Sequence, residues 1–151
     1  MHFLCTHHRR QLLATSDNQR LIDTWFEWMS TGGLYYELEQ WNESIPYVGC
    51  AFDLISDALW AKRIEPRLGA TKVTLSAIYL AETFRQCHAE DKARFSLGAA
   101  FQRLGIVLGT DAAPWARECM GTLLDTDRHP TFFQRFLNLP FSARPEQCMT
   151  H

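Results

Sequence analysis

The stretch WMSTGGLYYELEQWNESIPYVGCA, residues 28–51, decides the fold of this chain. It joins two runs of apolar residues at helical spacing, and Asn42 marks the break between them because its side chain is a good helix cap. Pro46 then falls in the first turn of the second run, where backbone amides lack intrahelical partners. Gly32 and Gly33 would cost the first helix about 2 kcal/mol relative to alanines. A helix that continues through them must therefore need their small size at a contact.

The same helical spacing extends along the rest of the chain, where apolar residues recur three and four positions apart. This pattern predicts an all-α fold of about six or seven helices in a single domain over residues 1–151. Asp111 is expected to cap the fifth helix, with Pro114 in its first turn. Residues 64–69 are interpreted as a stop and a connection because they contain Pro66 and Gly69. The helices are predicted over about residues 16–35, 42–60, 71–86, 91–104, 111–124 and 130–137.

The opening stretch resembles the signature of the tetratricopeptide repeat. This repeat is a unit of about 34 residues that forms two antiparallel helices and has the pattern W-x2-L-G-x2-Y, followed by an Ala. Trp28, Gly32 and Tyr35 occupy the Trp, Gly and Tyr positions of that pattern, and Ser44 replaces the Ala that follows. Small residues let two helices approach closely, while large residues fill the space beside the contact. The resemblance therefore implies that Gly32 and Ser44 bring the two helices together, with Trp28 and Tyr35 alongside.

A second copy of the pattern is predicted 49 residues after the first, starting at Ala77. This spacing exceeds the usual unit of about 34 residues. The additional residues are placed between Ala58 and Lys72, where the second helix and its connection lie. A competing register starts at LGAAFQRLG, residues 97–105, which also looks like the first helix of a repeat. The positions assigned to the second copy are Ala77, Leu80, Ala81, Phe84, Ala93, Leu97 and Ala100.

The resemblance implies antiparallel helical hairpins that stack into a small right-handed array. The pairs are expected at about residues 18–58 and 71–105, followed by a C-terminal helical cap over about 111–139 and a tail over 140–151. Three positions depart from the family pattern, because Thr31 replaces the usual Leu, Ser44 the usual Ala and Ser56 the terminal Pro. An unrelated all-helical bundle with similar spacing is the alternative interpretation.

Helical repeats of this kind bind a peptide or a helix of a partner on a concave surface lined by their first helices. The resemblance thus implies a protein-interaction module, such as an adaptor, a chaperone or a regulatory subunit. The Lys and Asn residues that clamp a terminal carboxylate in some family members are missing, so an apolar segment of a partner or a second copy of this chain is expected. The alternative is that the same residues are simply core. The inner-surface positions are Phe26, Met29, Gly33, Tyr36 and Glu37 in the first pair, and Leu75, Ile78, Glu82, Arg85 and Gln86 in the second.

The composition limits the classes of function. Charge is nearly balanced, with 15 Lys plus Arg against 17 Asp plus Glu, so direct binding of nucleic acid is not expected. No segment approaches the roughly 18 apolar residues of a membrane span, and no signal peptide is evident. The five cysteines are odd in number and form no C-x-x-C pair, which suits reduced thiols that are mostly buried. These observations predict a cytoplasmic protein without a membrane partner.

Clustered cysteines and histidines leave an enzyme or a metal-binding protein as the alternative class. Cys5 lies close to the pair of histidines at residues 7–8, Cys87 is adjacent to His88, and Cys148 lies near the end of the chain. The spacing fits no common zinc pattern, and adjacent side chains seldom face each other as a nucleophile and its base must. We therefore expect no catalytic residues, no metal and no cofactor.

The segment TFFQRFLNLPF, residues 131–141, is too apolar to be left in water. We expect it to cover the end of the helical array. The alternative is a docking surface for a partner or for a second copy of the chain, which is what contiguous exposed apolar patches usually indicate.

Overall fold

The structure is a computed structural model that describes residues 2–109 and 113–141. Within these residues the chain forms seven α-helices and no strand, and each helix packs against others, which confirms the predicted all-α class. The expected cap at Asp111, most of the predicted tail and Cys148 lie outside the described residues. The helices are α1 (Thr6–Thr15), α2 (Asn18–Glu37), α3 (Trp41–Trp60), α4 (Pro66–Gln86), α5 (Glu90–Leu108), α6 (Pro114–Leu124) and α7 (His129–Phe136), with a 3₁₀ turn over Thr126–Arg128 before α7.

Helices α2 and α3 meet at Gly32, as the spacing of small residues predicts. A side chain on Gly32 would overlap a methyl group of Val48 and would lie 3.6 Å from the carbonyl oxygen of Ser44. The Ser44 hydroxyl donates a hydrogen bond to the Gly32 carbonyl at 2.8 Å, and all three residues are buried. Beside this contact the ring of Tyr35 stacks on Tyr47 with centroids 5.7 Å apart. α2 therefore continues through its two glycines because α3 occupies the space that a side chain would need.

The turn between α2 and α3 recurs 49 residues later between α4 and α5. Glu39 and His88, at equivalent positions, both take a φ of 59°, in the left-handed region. The same turn also ends α3, where Lys62 takes a φ of 58° and the amides of Lys62 and Arg63 bond to the carbonyls of Leu59 and Ala58, so it is a common helix ending in this fold and not specific to the predicted offset. Residues 97–105 lie within α5, the second helix of the second hairpin. Membership of the repeat family stays a prediction. The same amide-to-carbonyl bonds close both turns: Glu39 to Tyr36 and Gln40 to Tyr35 after α2, and His88 to Arg85 and Ala89 to Phe84 after α4.

The start of α4 differs from the prediction. Residues 66–69 belong to the first turn of the helix, so their interpretation as a connection is wrong. Pro66 is the first helical residue, where a missing amide hydrogen costs no bond. The carboxylate of Glu65 caps the helix by accepting hydrogen bonds from the amides of Arg67 and Leu68, at 3.1 and 2.8 Å. The proline therefore starts α4 five residues before the predicted beginning at residue 71.

Helix α1 has no fully buried residue, although the structure describes all ten of its residues. It therefore lacks the apolar stripe by which the other helices are predicted. Polar contacts attach the N-terminal segment to α3, beside the apolar packing of Phe3 against Gly49 and of Leu12 and Leu13 against the core. The backbone amides of Phe3 and Leu4 donate to the carboxylate of Asp53, which is 4% exposed and whose pKa is raised by burial. The Arg9 guanidinium donates from two nitrogens to the Asp57 carboxylate, at 2.5 and 3.0 Å. Two acidic side chains one helical turn apart thus hold the N-terminal segment.

Helix α4 lies at the centre of the fold and packs against α3, α5, α6 and α7. Every residue from 73 to 81 is buried, so the middle of this helix is covered on all its faces. It also lies beside α2, because the indole nitrogen of Trp25 donates to the Ser76 hydroxyl at 2.7 Å. The two first helices of the predicted pairs, α2 and α4, are therefore neighbours.

Candidate functional site

The structure brings the two predicted halves of the inner surface together. The Tyr36 hydroxyl on α2 donates to the Glu82 carboxylate on α4 at 2.8 Å, and Glu82 also accepts from the Gln86 amide at 2.9 Å. Arg85 lies one helical turn after Glu82 and pairs with Glu90 on α5, with 3.0 Å between its Nε atom and a carboxylate oxygen. Of the predicted residues on α2, Phe26 is 49% exposed and Glu37 is exposed. These side chains form the accessible rim of the surface.

The apolar residues predicted for this surface are not open to solvent. Met29, Tyr36 and Ile78 are 0% exposed and Leu75 is 2% exposed, so all four belong to the core of this structure. The expectation of an open apolar face therefore does not hold here, because neighbouring elements cover it. Contact of these four residues with a partner stays a prediction, and it requires a packed element to move.

Part of the cover is the chain that follows α7, residues 137–141, which we call the C-terminal strap. Leu137 ends α7 with a φ of −137° and a ψ of 140°, so the chain leaves the helix extended. Leu139 then lies over Gly33, since a Cβ on this glycine would be 3.6 Å from the Leu139 Cδ2 atom. The Tyr79 hydroxyl donates to the carbonyl oxygen of Pro140 at 2.6 Å. The face of α2 and α4 formed by Gly33, Tyr36 and Tyr79 is called the α2–α4 groove below.

An aromatic cluster joins the strap to the groove. Phe141 stacks on Phe133 of α7 with centroids 4.4 Å apart, and Phe133 lies 4.7 Å from the ring of Tyr79. Tyr79 in turn lies 5.2 Å from Tyr36, which meets Trp41 edge to face at 5.0 Å. Such pairs contribute about 0.5–1.5 kcal/mol each beyond the area that they bury. Burial also raises the pKa of Tyr79, so its hydroxyl remains a hydrogen-bond donor at neutral pH.

The residues of the groove that sequence reasoning missed are Tyr79 and the apolar residues of the strap. Tyr79 lies three residues, or one helical turn, before the predicted inner-surface residue Glu82. The helical period therefore places Tyr79 on the predicted surface. The strap carries its own signal, because the residue before a proline is biased towards extended backbone and apolar residues alternate before Pro140. The expectation that residues 131–141 cover the array agrees with the burial of Phe133 and Phe141.

The cysteine and histidine groups of the alternative class are separate in space. Within residues 2–109 and 113–141, no group of three or more His, Cys, Asp or Glu side chains could hold a metal ion. Cys5 is exposed, so the expectation of a buried thiol is wrong there: its sulfur caps α1 by accepting the amide of His8 at 3.4 Å. The Cys87 thiol lies 3.7 Å from the Asn42 side-chain oxygen, and burial raises its pKa.

The thiols are expected to differ in reactivity. Burial raises the pKa of Cys119, and it raises that of Cys50 to about 11, which depletes the reactive thiolate at neutral pH. Timed alkylation of the folded protein at pH 7.5, followed by peptide mass analysis, should therefore modify Cys5 before Cys50, Cys87 and Cys119. The Cys5→Ser variant serves as the control, and none of the other three thiols should be modified as fast in it. Equal labelling of Cys5 and Cys119 in folded protein would contradict the described burial.

His129 lies at the joint between α6 and α7 and is 2% exposed. Its ring nitrogen Nε2 donates to the carbonyl oxygen of Thr122 at 2.9 Å, whereas Nδ1 has no hydrogen-bond partner among the residues that the structure describes. Burial lowers the pKa of His129 to about 4, so the imidazole is neutral at pH 7. The joint between α6 and α7 therefore contains a buried histidine that is uncharged at neutral pH.

The low pKa of His129 predicts that acid weakens the fold. An unfolded histidine has a pKa of about 6.5, so between pH 6.5 and about 4 the unfolded chain binds a proton that the folded chain does not. The stabilisation is complete above pH 6.5 and is lost as the pH falls towards 4, by about 2–3 kcal/mol. Urea unfolding at a series of pH values would measure it. The His129→Gln variant should show a shallower slope over this window, and identical slopes would contradict the prediction.

Comparison of the chain with protein-family models, with curated proteins and with solved structures finds no match. None of the helices in the described ranges is both long and apolar enough to cross a lipid bilayer. The groove, its rim and the segment that lies on it are therefore the features that bear on the function of the chain.

Proposed function

We propose that this chain is a protein-interaction module, such as an adaptor, a chaperone or a regulatory subunit, and that it binds a segment of a partner in the α2–α4 groove. One observation carries the proposal: the groove already holds a segment of polypeptide that has no regular secondary structure. Leu139 of the strap lies over Gly33, and the Pro140 carbonyl accepts a hydrogen bond from Tyr79. A surface that holds one non-helical peptide has the shape and a hydrogen-bond donor for another.

The rim of the groove supports the same proposal. Phe26 exposes half of a large apolar side chain on α2, and the acidic Glu37 follows three helical turns later. Exposed aromatic side chains are enriched at protein interfaces, where a few of them supply most of the affinity. Glu37, about 16 Å further along α2, supplies a charge at the other end of the rim. On this basis Phe26 is the residue through which a partner can be tested without disturbing the core.

Site-specific photo-crosslinking in living cells tests the proposal. A photoreactive amino acid is placed at Phe26 and, as a matched control, at Ile106 of α5, which is 65% exposed. We expect a defined partner to crosslink from position 26 and not from position 106. Binding of that purified partner should then weaken about tenfold in Phe26→Ala, which is the loss of about 1.4 kcal/mol expected for an interface anchor.

The outcome of this experiment also separates the kinds of partner. Crosslinks between two copies of the chain would identify the partner as a second copy, and light scattering would then give the stoichiometry. Crosslinking from both positions to the same set of abundant proteins, or unchanged affinity in Phe26→Ala, would contradict the proposal.

A further inference from the structure

We infer that the C-terminal strap is an internal ligand of the α2–α4 groove, and that the partner segment is a non-helical peptide of the same chemical pattern, apolar–polar–apolar–Pro–aromatic, which competes with it. The inference rests on the proposed function, since it names what the groove recognises and what keeps it closed. It is carried by the conformation of the strap, by the construction of the groove and by the position of the strap in the chain.

The strap lies on the groove without regular secondary structure, and its backbone bends at Leu139. Leu137 is 9% exposed and Phe141 is 6% exposed, Leu139 and Pro140 are half-buried, and Asn138 is exposed. Leu139 lies against Gly33, the Pro140 carbonyl accepts a hydrogen bond from Tyr79, and the Phe141 ring lies 5.8 Å from the Tyr79 ring. The strap residues that contact the groove are therefore a leucine, a proline and a phenylalanine.

The groove recognises features that another peptide can supply. Tyr79 donates to a backbone carbonyl, which is present in every peptide, so this bond does not require the strap itself. Gly33 leaves room for the Tyr79 hydroxyl, because a Cβ at this position would be 3.2 Å from that oxygen, and Leu139 covers the glycine at ordinary van der Waals distance. Phe133 belongs to α7 and provides the ring on which Phe141 stacks. An apolar side chain over Gly33 and an aromatic ring over Phe133 are thus the two specific requirements.

The strap can leave the groove without the unwinding of a described helix, because it follows the last turn of α7. While it remains attached, its effective concentration at the groove is that of a short tether, on the order of millimolar. A competing peptide can bind only those molecules whose strap has left the groove. Its apparent Kd for the full chain is therefore its Kd for a free groove divided by the fraction of open molecules. The strap consequently sets the affinity threshold for any partner.

A fluorescent peptide with the sequence RFLNLPF, residues 135–141, tests the inference by anisotropy with the full chain. In Leu139→Asp a carboxylate replaces the apolar side chain over Gly33 and releases the strap. We expect this variant to bind the peptide at least tenfold more tightly than the unaltered chain does. The peptide RFLNDPD, in which both specific side chains are replaced, should not bind either protein. A tenfold gain for RFLNLPF with no binding of RFLNDPD supports the inference.

Circular dichroism establishes that each variant is folded. If Leu139→Asp is unfolded, Phe141→Ala decides, because it removes only the ring that stacks on Phe133 and should raise peptide affinity about threefold or more. Folded variants that bind the peptide no better than the unaltered chain would overturn the inference. Partner crosslinking at position 26 in that case would leave the proposed function intact. Peptide binding by the open variant without any crosslinked partner would instead count against the proposed function alone.

Discussion

Gly32→Leu is expected to lower the free energy of unfolding by up to about 3 kcal/mol. A side chain at this position overlaps the Val48 methyl group, and Val48 is fully buried and stiff because it is β-branched. Overpacking of this kind costs about 1–3 kcal/mol. Separation of the helices would also break the hydrogen bond from Ser44 to Gly32, worth about 1 kcal/mol. Leucine has a better helix propensity than glycine, which offsets only about 1 kcal/mol of this loss. A Cβ alone would already collide with Val48, and leucine adds three more carbons beyond it.

Urea unfolding monitored by circular dichroism measures this effect, and Gly98→Leu is the matched control. Gly98 lies inside α5, and a Cβ there would meet no heavy atom within 4 Å in the described part of the chain. The same substitution should therefore stabilise the protein slightly, by up to about 1 kcal/mol, through helix propensity alone. Similar unfolding free energies for the two variants would mean that α2 and α3 do not meet at Gly32.

Tyr36→Ala is the second substitution with a large expected effect, a loss of about 3–5 kcal/mol of stability. The side chain is 0% exposed and packs edge to face against Trp41. Its removal leaves a cavity in the core and takes away the hydroxyl that donates to Glu82. Tyr36→Phe retains the ring and should lose only about 1 kcal/mol, the net value of a hydrogen bond.

Thermal and urea unfolding of both Tyr36 variants would be compared with Phe26→Ala. Phe26 is half exposed on the same helix, so its truncation should change stability by no more than about 0.5 kcal/mol. This contrast determines how partner binding should be tested: a loss of binding in Tyr36→Ala reports unfolding, whereas a loss in Phe26→Ala reports the interface. Native-like stability of Tyr36→Ala would show that the ring is not part of the core.

The contact between α2 and α3 is predictable from the sequence because its determinants are local. Gly32 and Ser44 are twelve residues apart, the helices on either side have regular apolar spacing, and the connecting turn is short. Glycine in a helix interior carries a known cost, so its presence at a fixed distance from a second small residue indicates a close approach. The predicted spans of α2 and α3 follow from the same local pattern, but the predicted cap at Asn42 is wrong: α3 begins at Trp41, so Asn42 and Pro46 both lie inside the helix.

The attachment of α1 and the closure of the groove depend on contacts between distant parts of the chain. Arg9 reaches Asp57 across 48 residues, and a charged pair of this kind leaves no periodic pattern in the sequence. Leu139 meets Gly33 across more than a hundred residues, so the burial of the predicted inner surface cannot be read from either segment alone. Sequence spacing identifies which faces are apolar; it does not identify which segment covers them.

The two equivalent turns of the fold have a consequence for how the chain can change over evolutionary time. Both are closed by backbone amides and carbonyls, and the residues in the left-handed conformation are a glutamate and a histidine rather than glycines. Any residue other than proline can supply the closing amides, although a side chain in the left-handed conformation carries a cost. The sequence of either turn can therefore change, proline excepted, without loss of the bonds that end α2 and α4.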